Sequence, residues 1–256
     1  MRGLKPLPML DKTKDSCDWK AMETEVKICG LTKPEDIDAA LAAGADWIGF
    51  VFFAKSPRSL SVARATELAA PARGRVGIVA LTVDAQDDLI EEIAQGLRPD
   101  LMQLHGSETP ERAAEVRSRF GLRTAKALGI GERADLDKVS LYAGHVERLL
   151  LDARPPKGAT RPGGNGASFD WRLLEGFEPG MPWFLSGGLN GDNIGAALAA
   201  TKAPAVDVSS GVERAPGEKD PAEIARFVAA VRAHDARCKV AEDARPAANA
   251  APVAAA

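Results

Sequence analysis

Between about Thr24 and His234, short apolar runs alternate with helix-patterned segments eight times, and nothing else in this 256-residue chain limits its fold so strongly. The strand candidates are Val26–Cys29, Trp47–Phe52, Arg75–Leu81, Leu101–His105, Arg123–Leu128, Arg148–Asp152, Trp183–Ser186 and Ala205–Ser209. Most are nearly continuous in Val, Ile, Leu and Phe, as strands of a parallel sheet buried on both faces must be. Their starts lie roughly 20–35 residues apart, the length of a βαβ unit. Eight such units in one domain's length predict a single (β/α)₈ TIM barrel over an open doubly wound sheet.

Helix signals fall between the runs. Thr32-Lys33-Pro34-Glu35 reads as a capping box with proline in the first turn, followed by Ile37, Ala40 and Leu41 on one face. Thr109-Pro110 opens a later helix, and Asp220-Pro221-Ala222-Glu223 caps one whose Ile224, Phe227, Val228 and Val231 share a face. The fifth helix, expected over Arg133–Leu141, has the poorest pattern.

Residues 1–23 are expected to be a flexible N-terminal extension, 24–235 the catalytic barrel, and 236–256 an Ala/Pro-rich disordered tail. Met22, just before the first strand, is a candidate alternative start, and the preceding segment lacks the apolar stretch of a signal peptide. The net charge of −3, without a basic cluster, argues against nucleic acid as a partner. No apolar run approaches the roughly 18 residues a membrane span needs. Cys17, Cys29 and Cys238 are odd in number and widely spaced, so no disulfide framework or zinc site is expected, which points to a reducing, cytoplasmic setting. The oligomeric state stays open, with a monomer the simpler expectation.

Chemistry in such a barrel belongs at the carboxyl ends of the strands. Those ends read Cys29-Gly30, Gln103-Leu104-His105-Gly106, Leu151-Asp152, Ser186-Gly187-Gly188 and Asp207-Val208-Ser209-Ser210-Gly211. The last two are the natural phosphate site of the fold: Gly187, Gly188, Ser209, Ser210 and Gly211 let backbone N–H groups close on an anion. The same glycines also suit plain tight turns. A strand cysteine taken alone reads first as a small buried hydrophobe, whereas an aspartate after three leucines is hard to place in a core.

Together, VKICGLT, WIGFVFFAKSPRSLS, VGIVALTVDA, LMQLHGSE, LLLDARPPKG, GGNGASFDW, FLSGGLNGDNI and VDVSSGVERAPGEKD, in that order, resemble the phosphoribosylanthranilate isomerase family from about Glu25 to His234. The resemblance implies an Amadori rearrangement in tryptophan biosynthesis, an aminoaldose becoming an aminoketose, with no metal or other cofactor. It implies Cys29 as general base and Asp152 as general acid. A carboxyl serving as an acid near neutral pH is expected to sit buried or beside negative charge such as a substrate phosphate. Ring order sets the phosphate anchor between the two, because the seventh and eighth strands lie between the sixth and the first. The resemblance further implies that Arg58 holds the anthranilate carboxylate, for which its bidentate fork is suited. Gln103, His105 and Asp207 match substrate-binding positions, although His105 could equally satisfy a loop carbonyl and Asp207 could serve a structural hydrogen bond. The segment from Ala153 to Ser168 carries three prolines and four glycines; the resemblance makes it a loop covering the substrate through Gly164 and Gly166, with Asn165 where Thr or Ser is commoner. A ribulose-phosphate epimerase would need metal-binding His and Asp residues, and an indoleglycerol-phosphate synthase a catalytic lysine. A non-catalytic phosphometabolite binder would lack the acid and base.

Overall fold

Each of the eight apolar runs forms a strand in the computed structural model, which describes residues 23–243 apart from 157, 165 and 167. The strands are β1 (Glu25–Cys29), β2 (Trp47–Phe52), β3 (Gly77–Thr82), β4 (Leu101–Leu104), β5 (Thr124–Ile130), β6 (Arg148–Ala153), β7 (Trp183–Leu185) and β8 (Ala205–Val208). All neighbours pair in parallel, and β8 returns to β1, closing the barrel in sequence order. The expectations for residues 1–22 and for the chain after 243 lie outside the described residues.

Alternation along each strand explains both the apolar runs and the polar interruptions in them. Outward residues such as Ile28, Ile48, Phe50, Ile78, Leu149 and Leu151 pack beneath the helices in one large core. At about 1.5–3 kcal/mol for each large apolar side chain, this layer is the main source of stability. Inward residues Trp47, Val79, Leu101, Leu150 and Phe184 fill the barrel itself. Its amino-terminal end is closed by Arg148, which pairs with Glu25 at 2.5 Å and lies 4.4 Å above the Phe184 ring centroid. Nearer the other end the inward positions turn polar: Lys27, Gln103, Asp152 and Asp207 are all buried.

The outer layer departs from eight equal helices. α1 (Pro34–Ala43), α2 (Val62–Ala69), α3 (Asp87–Gln95) and α4 (Pro110–Phe120) follow β1 to β4, and α5 (Ile194–Thr201) and α6 (Pro221–Asp243) follow β7 and β8. After β5 the expected helix is a 3₁₀ segment, Arg133–Tyr142, and after β6 a long loop leads only to the 3₁₀ turn Trp171–Leu174. The cap of α1 also differs: Lys33 is the capping position, and Asp36, not Glu35, accepts the N–H groups of Thr32 and Lys33, each at 3.0 Å. α6 passes residue 235 without a break, and Asp235 accepts the Thr24 hydroxyl at 2.6 Å, tying the helix to the approach of the first strand. A small antiparallel hairpin, β9 (Glu213–Ala215) with β10 (Glu218–Lys219), folds back over the barrel mouth and was not expected. No helix among the described residues is long and apolar enough to cross a membrane.

Candidate active site

The carboxyl ends of the strands surround a cleft of about 770 Å³, counted with its open rim. Of the residues singled out from sequence, Cys29, Arg58, His105, Asp152 and Asp207 line it, together with Gly164, Gly166, Gly187, Gly188, Ser209 and Ser210. Gln103 and Gly211 do not. Gln103 lies one layer deeper, and Gly211 stands behind the rim, where a side chain would come within 1.8 Å of the Leu189 carbonyl oxygen. Gly211 therefore lets the loops after β7 and β8 pack against each other.

Cys29 closes β1 opposite Gly49 of β2. A methyl group on Gly49 would stand 3.0 Å from Cys29 Sγ and 3.3 Å from Lys27 Nζ, so this glycine makes room for both atoms. Lys27 is fully buried, and its Nζ donates to Asp207 Oδ1 at 2.7 Å across the β1/β8 register. The Ser186 hydroxyl donates to the other oxygen of Asp207 at 3.3 Å. Burial pushes the Cys29 thiol above its ordinary range; Lys27 pulls it back, Asp207 adds to the push, and Lys219 pulls it down further. Burial lowers the proton affinity of Lys27, yet Asp207 and then Cys29 outweigh it, and the ammonium ends above its ordinary value.

Across the mouth, Asp152 Oδ2 lies 3.3 Å from His105 Nε2, while Oδ1 accepts the N–H of Ala153 at 2.8 Å. Gln103 Nε2 sits 3.0 Å from His105 Nδ1. The ring thus turns Nδ1 toward Gln103 and Nε2 toward Asp152. The loop after β6 covers this pair: a side chain at Gly163 would come within 2.7 Å of both Asp152 Oδ2 and His105 Nε2. Gly187, at φ +93, turns the chain after β7 with its Cα against the Ala153 backbone, a place no side chain can enter.

Arg58 is buried, and Glu213 takes its Nε and Nη2 in a fork, both at 2.7 Å. Its Nη1 is left directed at Gly164 of the covering loop. Glu213 also accepts from Lys219 at 2.7 Å, and Lys219 Nζ donates to the Ser209 carbonyl at 2.8 Å. The hairpin thus joins the arginine to the rim after β8. Burial pushes the Glu213 carboxyl up, but Arg58 and Lys219 outweigh it and hold it below its ordinary value. Lys27, Glu213 and Lys219 were missed from sequence. Lys27 reads there as one polar interruption in a strand, and the other two join the site only through the hairpin. Among the described residues no cluster of three or more His, Cys, Asp or Glu side chains could hold a metal ion.

The family model described as N-(5'-phosphoribosyl)anthranilate isomerase matches residues 26–230. A Mesorhizobium japonicum protein of that name is 52% identical over 212 residues, 83% of this chain and 97% of its own length. One from Afipia carboxidovorans is 55% identical, covering 83% of this chain and 91% of its own. The crystal structure of phosphoribosyl anthranilate isomerase from Thermotoga maritima superimposes with a TM-score of 0.74 at 34% identity, over 82% of this chain and 99% of that one. Another of the same name, in complex with reduced 1-(o-carboxyphenylamino)-1-deoxyribulose 5-phosphate, matches at a TM-score of 0.71 and 32% identity, with the same coverage. Fold and site define a (β/α)₈-barrel enzyme with a thiol and a carboxyl at the strand ends. The chain belongs to the N-(5'-phosphoribosyl)anthranilate isomerase family and is an aldose–ketose isomerase.

Proposed function

We propose that this enzyme converts N-(5-phosphoribosyl)anthranilate to 1-(2-carboxyphenylamino)-1-deoxyribulose 5-phosphate, a step of tryptophan biosynthesis, in the cytoplasm. The observation that carries the residue assignment is that Cys29 and Asp152 line one cleft with the glycine and serine loops after β7 and β8 between them. Those loops take the phosphate, through Gly187, Gly188, Ser209 and Ser210, and the sugar extends inward. Asp152 gives a proton to the ring oxygen, the C1–O bond breaks, and the furanose opens to a Schiff base. Cys29, as thiolate, removes the proton from C2, and the electron pair moves through C1 to the nitrogen, giving an enolamine. Protonation at C1 and loss of the C2 hydroxyl proton then leave the ketone, so the reaction is an isomerisation without net redox change. Arg58 meets the anthranilate carboxylate through the Nη1 that Glu213 leaves free.

The test is a coupled assay. Phosphoribosylanthranilate is generated in situ, and the loss of its fluorescence is followed on adding the purified protein. The expected result is a decay proportional to enzyme; a decay no faster than the uncatalysed one contradicts the substrate assignment.

A further inference from the structure

Beneath the reactive thiol lies a buried cation that the proposed reaction does not yet use. Lys27 sits two residues before Cys29 on β1, so both side chains point into the barrel from the same face of the strand. The empty space over Gly49 brings Sγ and Nζ to within 3.0 and 3.3 Å of one common point, while Nζ donates to Asp207. No solvent reaches Lys27, so the field of its charge on Cys29 is little screened.

We propose that Lys27 is a positioning residue that sets the protonation state of Cys29, with Asp207 as the opposing charge. An ammonium beside a thiol favours the thiolate, the form that can take a proton from carbon. Asp207 acts twice against this: it claims the Lys27 charge at 2.7 Å, and it adds negative charge of its own. Other charged groups are arranged around the thiol. Lys219 on β10 also favours the thiolate and is itself neutralised by Glu213. Arg58 packs its stem over Gly30 with its charge taken by Glu213, and His105 and Asp152 face the same cleft from β4 and β6. Lys27 is the cation nearest Cys29 in sequence and is shared with one carboxylate only. This deepens the reading of Cys29 as the base, and its test reads the thiol without reference to turnover.

The test is a pH titration of thiolate ultraviolet absorbance on the full-length protein, taken as the difference between each enzyme and its Cys29→Ser counterpart. The wild type, Lys27→Met and Asp207→Asn are compared. Lys27→Met should move the midpoint up by about one pH unit or more, and Asp207→Asn should move it down. A midpoint in folded Lys27→Met equal to that of the wild type overturns the proposal. If Lys27→Met does not fold, Lys27→Gln is titrated in its place: a higher midpoint supports the proposal, and an unchanged or lower one overturns it. A merely structural lysine would change stability without opposite shifts in the two variants. An active Cys29→Ser enzyme would sink the base assignment and leave this titration intact.

Discussion

His105 Nε2 lies 3.3 Å from Asp152 Oδ2, tying the end of β4 to the end of β6 across the barrel mouth. Gln103 contacts the ring from behind at Nδ1, so the Nε2 edge of the imidazole faces the carboxyl. If that contact aims Asp152 at the sugar oxygen, His105→Gln should lower kcat about ten-fold or more with little change in melting temperature. Steady-state kinetics on the purified variant check this. Wild-type turnover would mean that Asp152 needs no such partner.

Glu213 holds two of the three nitrogens of Arg58, so the arginine offers a defined edge instead of a mobile fork. Charge-assisted hydrogen bonds of this kind contribute about 1.5–3 kcal/mol. Glu213→Gln should therefore raise KM by about ten-fold or more while kcat falls less, because binding of the carboxylate suffers before the chemistry. An unchanged KM would separate Arg58 from substrate recognition.

Asp135 gives a prediction about stability in acid. Burial alone would raise its carboxyl, but the N–H groups of Gly131 and Glu132, with Lys138 and Arg154, hold it down at about 2. In the unfolded chain the value is about 3.9. The folded value is the lower one, so the contribution is complete above about pH 4 and is lost as the pH falls through about 2. Asp135→Asn should destabilise the protein by about 1–3 kcal/mol at neutral pH, and the difference from wild type should close across that acid window. Urea unfolding at several pH values measures both. A difference independent of pH would show that charge is not the cause.

The barrel was legible because its strands are buried on both faces, so each writes an apolar run that turn residues interrupt. The fifth helix was not: Arg133–Tyr142 caps through Asp135 and winds as 3₁₀, which a 3.6-residue pattern does not describe. α6 runs on to Asp243 through an alanine- and charge-rich stretch that carries no stop signal, a length the apolar face of Ile224, Phe227, Val228 and Val231 does not reveal. In the site, position marked the strand ends as the place for chemistry, but the roles of Cys29 and Asp152 came from the family resemblance, since a lone strand cysteine reads first as a buried hydrophobe. Lys27 could not be read, because a lysine inside a strand looks like a solvated edge until barrel closure brings Asp207 opposite it. Glu213 and Lys219 come together only through a short hairpin, turned at Pro216-Gly217, whose two brief strands give no periodic signal. Gly211 was read as an anion contact, and its close approach to Leu189 is visible only in three dimensions.

Cys29 and Asp152, at two strand ends, are proposed to share one reaction. Its most direct measurement is turnover of Cys29→Ala and Asp152→Asn in the coupled fluorescence assay, with product binding measured alongside. Loss of a general acid or base removes about 10²–10⁴ in rate. Each variant is expected to fall by at least that much while it still binds product and keeps its fold. Near-wild-type turnover in either one would contradict the assignment of that residue.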